Sequence, residues 1–370
     1  MVSDTSRLVA DSVAVGKPII TVSLNYRVGI LGFGDCKGGV NYGLHDQTLG
    51  IEWVQQHIAG FGGDKDNVTL AGESAGALSV HAHTIMKVPA RRAILQSGSL
   101  FASPPQPVSR GKEIVAELSR RVEAQEQLTL REASISTMMR QVSESGIRSS
   151  WFQLEPALEN WMEQDEDVEQ LLIGDVEYES VIWRNGVESL DPDTIIKCFE
   201  RCAQGQDLCR LYGISSTRPT ASKLGALDFI NDVKFAWGAE QIASRWRSAG
   251  KPVYQYIVDE TNPWQASSRA HHAVDLLFLF GGYDGFTRPK AEEVGQDMRR
   301  RWIAFVNGSS PWSSEKRFAF GPHGQCGEFS DEDFASRRRT RHWELLKEIG
   351  FAEVNAVAGA LVAGRSSLEN

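Results

Sequence analysis

The sequence predicts an α/β fold with a mostly parallel central sheet and helices on both faces. Three observations support this prediction. Short apolar runs rich in β-branched residues alternate along the chain with stretches whose apolar residues have helical spacing. The strand-like runs are apolar over nearly their whole length, which is typical of parallel strands buried on both faces. The length of 370 residues suits one large α/β domain.

The elements follow one another in a β-α-β-α order. Strands are predicted at Pro18–Tyr26, Asn67–Gly72, Ala93–Gln96, Leu171–Val176 and Val253–Asp259. Helices are predicted at Ser6–Val15, Asp46–His57, from Ser74 to about Ile85, at Gln296–Val306 and at Ala335–Ile349. Each apolar run is therefore followed by a segment that can cover one face of a sheet.

Two long polar, helix-rich segments, at about 105–165 and 184–250, interrupt this alternation. Strand-like sequence resumes after each, so we interpret them as excursions from a single domain that covers residues 1–370. The excursions are expected to shape a substrate pocket, because the chain around them supplies only the sheet and its covering helices.

Composition excludes several classes of function. The net charge of −9 argues against nucleic acid or an anionic membrane as the main partner. No apolar run approaches the ~18 residues that a membrane-spanning helix needs, and the first residues lack the pattern of a signal peptide. The five cysteines are an odd, sparse set, which predicts reduced thiols and a cytoplasmic location.

The segment LAGESAGALSV, residues 70–80, places Ser74 between Gly72 and Gly76, where a strand gives way to a helix. A serine in such a sharp turn needs small neighbours, because backbone passes close to it. The following helix directs its first N–H groups towards the serine, so the N–H of Ala75 can stabilise negative charge on a bound carbonyl oxygen. The pattern predicts a nucleophile.

A serine nucleophile needs a base and a carboxylate that orients the base. Six of the eight histidines lie on helices or in polar surroundings, whereas His272 follows a predicted strand and precedes an apolar stretch, with His271 as its rival. The segment LLIGDVEYES ends a strand and offers Asp175, Glu177 and Glu179, which spacing alone does not rank.

Several blocks of the chain together resemble the type-B carboxylesterase family, which includes the cholinesterases and related fungal esterases. The blocks occur in the family's order and are NYRVGILGF, NYGLHDQ, FGGDKDNVTLAGESAG, RAILQSGS, LLIGDVEYES, HHAVDLLFLFGG and WIAFVNGSSPW. The resemblance is dense over about 18–100, patchy over 165–260 and clear again over 268–325. It implies the α/β-hydrolase fold and a Ser-Glu-His triad in that chain order.

Mapped onto this sequence, the triad that the resemblance implies is Ser74, Glu179 and His272. His272 fits because it precedes an acid, Asp275, by three positions and then an apolar run that ends in glycine. The family usually has glycine after the triad acid, whereas this chain has Ser180, so Glu177 is kept as the fallback.

Further roles are assigned with alternatives. Ser97 matches a serine that supports the acid in relatives, or it is a hydroxyl that caps a strand end. Asp232 resembles another supporting acid, or it is a surface residue of a helix. Trp151, Phe152 and Phe101 are candidates for a substrate pocket or for core packing.

The family's H-G-G-G block, which supplies most of the oxyanion hole, has no counterpart in this sequence. Measured against the family, the chain starts roughly one hundred residues late, and we expect the leading strands of the sheet to be missing. Three explanations are open: an incomplete gene product or misassigned start, a shortened enzyme with substitute donors, or a non-catalytic relative.

The resemblance implies a carboxylic ester hydrolase that acts on a small-molecule ester, with no metal or organic cofactor. One alternative is a weak or inactive carboxylesterase-like protein that serves as a scaffold or interaction module. Another is a hydrolase whose substrate is a thioester or lactone of secondary metabolism. The sequence does not indicate the oligomeric state.

Overall fold

The structure, a computed structural model, describes residues 4–34, 38–146, 151–281 and 289–363. The described strands form one sheet in which spatial order equals chain order. They are β1 (Thr69–Glu73), β2 (Arg92–Gln96), β3 (Gln170–Val176), β4 (Val253–Val258), β5 (Arg317–Phe320) and β6 (Cys326–Phe329). The first five strands are parallel and β6 runs antiparallel to β5. The α/β class with a mostly parallel sheet is confirmed.

Four of the five predicted strands form, with bounds that differ from the prediction by at most two residues. Strands β5 and β6 were not predicted, because each has only four residues and lies among charged and glycine-rich sequence. They extend the sheet beyond β4, since Tyr256 pairs with Phe318 and Val258 pairs with Phe320.

Helices connect and cover the strands. In the first half of the chain these are α1 (Ser6–Ala14), α2 (Gly29–Phe33), α3 (Tyr42–His57), α4 (Ala75–Ile85), α5 (Val108–Glu126), α6 (Ile135–Ser145), α7 (Arg184–Glu188) and α8 (Pro192–Phe199). In the second half they are α9 (Gly205–Leu211), α10 (Pro219–Asn231), α11 (Trp237–Ser248), α12 (Val274–Phe280), α13 (Pro289–Val306), α14 (Asp331–Arg337), α15 (Thr340–Ile349) and α16 (Phe351–Val362). Shorter turns are 3₁₀-helical at Ile58–Phe61, Pro156–Leu158, Glu179–Trp183 and Ala266–Ser268, and Asp232–Ala236 is a π-helix.

Helices pack on both faces of the sheet, as predicted. Alternate residues of one strand point to opposite faces, so Leu172 and its neighbour Ile173 belong to different hydrophobic clusters. Leu172 packs in the cluster that contains residues of α1, α12 and α13. Ile173 packs in the cluster that contains residues of α4 and α11. The sheet is buried between these two layers, and β2, β3 and β4 are almost wholly inaccessible to solvent.

The prediction of a buried strand at Pro18–Tyr26 is wrong. This segment has no regular secondary structure and is mostly exposed, including Ile20 and Val22. It is held by scattered contacts. Among them, Ser12 Oγ accepts a hydrogen bond from the Ile19 N–H at 3.1 Å, and Leu24 lies against Gly50 of α3. A strand requires a neighbouring backbone to pair with, and no described strand runs beside this segment.

The two excursions consist of helices, as expected. The first, at about 105–165, contains α5 and α6, and the second, at about 184–250, contains α7 to α11. No helix among the described residues is long and apolar enough to cross a membrane.

Candidate active site

The predicted site residues follow the carboxyl ends of neighbouring strands. Ser74 comes directly after β1, Glu179 lies three residues after β3, and His272 lies in the connection that follows β4. Because these strands are parallel, their carboxyl ends share one edge of the sheet, where open α/β sheets form their sites. The fold therefore brings residues from distant parts of the sequence to one place.

Ser74 sits in a strained turn. Its backbone has φ 55° and ψ −121°, which few residues with a side chain adopt. A Cβ at Gly72 would lie 2.3 Å from the carbonyl carbon of Gly76, so only glycine fits at position 72. A Cβ at Gly76 would meet nothing within 4 Å. The close approach that the sequence predicts is thus made by Gly72 against the backbone of Gly76.

The side chains of Ser74, His272 and Glu179 form a continuous chain of hydrogen bonds. His272 Nε2 lies 2.8 Å from Ser74 Oγ, and His272 Nδ1 lies 2.5 Å from Glu179 Oε2. An ionised carboxylate can only accept, so Nδ1 carries the proton and Nε2 is free to accept the hydroxyl proton of Ser74. This order of hydroxyl, imidazole and carboxylate is the one required to activate a serine.

Backbone contacts hold the imidazole and the carboxylate in place. Glu179 is fully buried, and its Oε1 accepts the N–H of Val176 at 2.8 Å. The N–H of His272 donates to the carbonyl of Tyr178 at 3.1 Å, and the N–H of Tyr178 donates to the carbonyl of Ala270 at 2.8 Å. The loop that carries His272 is therefore joined to the turn that carries Glu179.

The rival histidine is directed elsewhere. His271 Nε2 lies 2.9 Å from Asn262 Nδ2, and its Nδ1 lies 2.8 Å from the carbonyl oxygen of His272. The first contact makes Nε2 an acceptor, so Nδ1 donates to the carbonyl. Both ring nitrogens of His271 are thus occupied away from Ser74.

The rival carboxylates are also occupied. Glu177 accepts from Arg269 at 2.7 Å near the surface. Asp175 is buried and accepts from Arg338 Nε at 2.8 Å, and Arg338 also donates to Asp259 at 2.9 Å. Burial raises the pKa of Asp175 to about 7 despite the neighbouring guanidinium. Of the three acids that sequence spacing left open, Glu179 is the one in contact with His272.

Two further acids surround the imidazole. Glu73 Oε1 lies 3.3 Å from His272 Nε2, and Asp275, fully buried, accepts from Gln96 Nε2 at 2.8 Å. Burial raises the pKa of both carboxyls. Burial by itself disfavours the charged imidazole, but Glu179 and then Glu73 outweigh it, so the pKa of His272 is raised.

The two residues predicted to support the acid make other contacts. The Ser97 hydroxyl is buried without a hydrogen-bond partner among the described residues, while its N–H donates to the carbonyl of Gly174. Asp232, fully buried, accepts from Tyr212 at 2.8 Å and from Arg339 at 2.8 and 3.0 Å. Asp232 is therefore not a surface residue of a helix, and its side chain is bonded to Tyr212 and Arg339 and not to Glu179.

The predicted oxyanion donor is the first residue of α4. Ala75 follows Ser74, and the first N–H groups of an α-helix have no acceptor within the helix. Ala75 is an exposed residue and lines a cavity. The helix dipole adds partial positive charge at the same point.

A cavity of about 770 Å³ opens at Ala75, within the range of volumes typical of ligand sites. Most of its wall comes from residues 26–47, and the first excursion adds part of the rest. The apolar side chains that line it include Val28, Phe33, Leu44, Leu78, Met139, Val142, Trp151 and Phe152. Trp151 and Phe152, two of the three candidates for a substrate pocket, therefore line this cavity. Phe101 instead packs in the core against Trp161 and Phe351.

Sequence reasoning missed two residues that touch this site. Glu73 could have been predicted from the sequence, because this residue directly precedes Ser74 and must share its turn. Asn231, whose Oδ1 accepts the N–H groups of Glu179 and Ser180, carried no sequence signal. Within the described ranges, no group of three or more His, Cys, Asp or Glu side chains could hold a metal ion.

The chain is similar to known hydrolases over most of its length. The model of the carboxylesterase family matches residues 1–182 and 191–332. Lipase 3 of Yarrowia lipolytica is 30% identical over 383 residues, a match that covers 96% of this chain and 73% of the lipase. Lipase 2 of Diutina rugosa is 44% identical over 122 residues, which cover 29% of this chain and 22% of that lipase.

Solved structures share the fold. The carboxylesterase Est55 of Geobacillus stearothermophilus superposes with a TM-score of 0.71 at 22% identity, over 92% of this chain and 78% of Est55. This likeness establishes the α/β-hydrolase architecture. Together with the family match over most of the sequence, it shows that the chain belongs to the type-B carboxylesterase family.

Proposed function

We propose that this chain hydrolyses carboxylic esters through Ser74, with His272 as the general base and Glu179 as the group that orients the imidazole. The observation that carries the proposal is the hydrogen-bonded series from Ser74 Oγ through His272 to Glu179. Both contacts are short enough for proton transfer, and with the proton of the imidazole on Nδ1 they lead from the hydroxyl to the carboxylate.

The reaction proceeds through an acyl-enzyme. His272 Nε2 takes the proton of Ser74 while Oγ attacks the ester carbonyl, and the Ala75 N–H donates to the oxyanion. The tetrahedral intermediate collapses, and the leaving alcohol receives the proton from His272. Water then gives a proton to His272 as its oxygen attacks the acyl carbonyl. When this second intermediate collapses, His272 returns the proton to Ser74 Oγ, and the acid is released.

The cavity at Ala75 favours an ester with a sizeable apolar group. Its wall of aliphatic and aromatic side chains removes apolar substrate surface from water, worth about 25 cal/mol per Å². Because it begins beside the donor N–H, a carbonyl bound at Ala75 would place one of its substituents in this space. We therefore favour esters of apolar acids or alcohols over small polar esters.

The decisive experiment compares the purified chain with its Ser74→Ala variant on p-nitrophenyl butyrate. Hydrolysis by the variant is expected to fall to the background rate, because alanine has no hydroxyl oxygen that can attack the ester carbonyl and form the acyl-enzyme. The matched control is Ser244→Ala, which removes an exposed hydroxyl on α11 whose bond is to Glu240. Equal rates for Ser74→Ala and the parent would refute the assignment of the nucleophile.

The same triad can attack thioesters and lactones, since only the leaving group differs. A panel of a butyryl thioester, a γ-lactone and esters of increasing acyl length separates these substrate classes by kcat/KM. If the parent protein hydrolyses no member of the panel faster than the Ser74→Ala variant does, the result favours the alternative of a scaffold or interaction protein.

A further inference from the structure

The turn that carries Glu179 is held by a side chain from the second excursion. Glu179 begins the 3₁₀ turn Glu179–Trp183, so its N–H and that of Ser180 have no acceptor within the turn. Both donate to Asn231 Oδ1, at 2.7 and 3.2 Å. Asn231 is the last residue of α10 and is 2% exposed.

Two backbone donors on one side-chain atom settle the orientation of the Asn231 amide. Only the oxygen can accept both, so Nδ2 points away, and it has no hydrogen-bond partner among the described residues. The side chain thus acts as a double acceptor directed at the two residues of the turn.

Asn231 is itself fixed from its other side. The next residue, Asp232, is fully buried and bonded to Arg339 and Tyr212, and it begins the π-helix Asp232–Ala236. Phe235 of the same π-helix lies 5.5 Å from the His272 ring, measured between ring centroids. The junction of α10 and the π-helix, which Asp232 anchors, therefore contacts both the turn that carries Glu179 and the ring of His272.

We propose that Asn231 is a positioning residue that sets the location of the Glu179 carboxylate relative to His272. The proposal rests on the function given above and deepens it, because it assigns a residue outside the triad to the reaction. Glu179 must keep Oε2 within 2.5 Å of His272 Nδ1 while Oε1 stays on the Val176 N–H. Without Asn231, the N–H groups of Glu179 and Ser180 lose the acceptor that they share, and the carboxylate can move away from the ring.

The test is Asn231→Leu, which keeps the approximate volume and removes the acceptor. We expect kcat to fall about 10- to 100-fold with KM nearly unchanged, since displacement of about 1 Å costs on the order of 100-fold. Rates are normalised to sites that react with a fluorophosphonate. If the leucine variant does not fold, Asn231→Ser is measured, whose shorter side chain should give a smaller loss in the same direction.

A second readout separates positioning from simple destabilisation. The acidic groups that face His272 are Glu179, Glu73 and Asp275, and Glu179 contributes most to its raised pKa. Moving Glu179 away lowers the pKa of His272, so the acid limb of kcat/KM should shift to lower pH. A loss of folded protein would reduce the amplitude of the profile without moving it.

The matched control is Ser222→Ala on the same helix, α10. Ser222 is fully buried, accepts the Ser215 N–H at 2.9 Å and donates to the Ser215 carbonyl at 2.7 Å, away from the triad. We expect this variant to lose stability and to keep the parent kcat and pH profile. Rescue is tested with Asn231→Asp, which retains an acceptor oxygen and should recover most of kcat.

A parent-like kcat and acid limb in Asn231→Leu would overturn the proposal, as would equal kcat losses in Asn231→Leu and Ser222→Ala. The pKa of His272, followed by NMR in ¹³C-histidine protein, needs no turnover. If Ser74→Ala equals the parent but this pKa falls in Asn231→Leu, the proposed function fails while the positioning role stands.

Discussion

The central strands and the front segment, residues 17–28, have similar apolar sequences, but the strands are buried in the sheet and the front segment is mostly exposed. Strand β2 contains AIL and is completely buried between β1 and β3. The front segment contains PIITV, yet Ile20 and Val22 are 47% and 45% exposed. The difference shows that an apolar, β-branched sequence makes a strand only where another backbone pairs with it.

The site follows the same division. Glu179 and His272 lie beyond strands that are paired on both sides, and their side chains are 0% and 8% exposed. Ser74 follows β1, which pairs with β2 and has no further strand beyond it among the described residues. Base and acid are therefore rigidly surrounded, whereas the nucleophile lies at the border with the exposed front. The following predictions test this contrast, beginning with the largest effect.

The largest expected effect concerns two histidines, His272 of the triad and His57 at the end of α3, the helix that lies against the front segment. His272→Ala should reduce kcat by about 10⁴- to 10⁶-fold, because the serine then has no base. His57→Ala, on the exposed face of α3, should leave kcat within about twofold. Both are measured with p-nitrophenyl butyrate on protein of verified folding. A comparable loss in the His57 variant would mean that the front region participates in catalysis.

The next effect is on the free energy of unfolding. Leu95→Ala in β2 should lower it by about 2–5 kcal/mol, because the side chain is fully buried and leaves a cavity. Val22→Ala in the front segment should change it by less than about 0.5 kcal/mol, since the side chain is half exposed. Urea unfolding followed by circular dichroism gives both values. A cost above about 2 kcal/mol for Val22→Ala would show that the segment is buried in solution.

The smallest effect is a shift of the pH profile at the border of the two regions. Glu73, the last residue of β1, lies 3.3 Å from His272 Nε2 and, where it is ionised, raises the pKa of His272. Glu73→Gln removes that charge, so the pKa of His272 falls and the acid limb of kcat/KM moves to lower pH.

The control for this shift is Glu177→Gln. Glu177 has the same charge but pairs with Arg269 near the surface. Its variant should keep the parent profile, and a shift equal to that of Glu73→Gln would mean that the effect is a general one of net charge.

Much of the fold was predictable because the central strands are buried on both faces, so their sequences are continuous apolar runs. The short strands β5 and β6 were missed because four residues give no measurable periodicity. Of the candidate site, Ser74 was predictable because its turn is local: Gly72 has to be glycine beside the backbone of Gly76. The choice of Glu179 over Glu177 came only from the family resemblance. The two acids are two residues apart after the same strand, so spacing alone does not distinguish them.

The sequence by itself determined the features that depend on neighbours in the chain: the strained serine turn and the helical spacing of the segments that cover the sheet. Tertiary structure decided the features that depend on distance in space. Ser74 meets a histidine 198 positions away, that histidine meets an acid 93 positions away, and the turn of that acid meets Asn231. Hydrogen bonds act over about 3 Å whatever the separation along the chain, so only the folded sheet selects these partners.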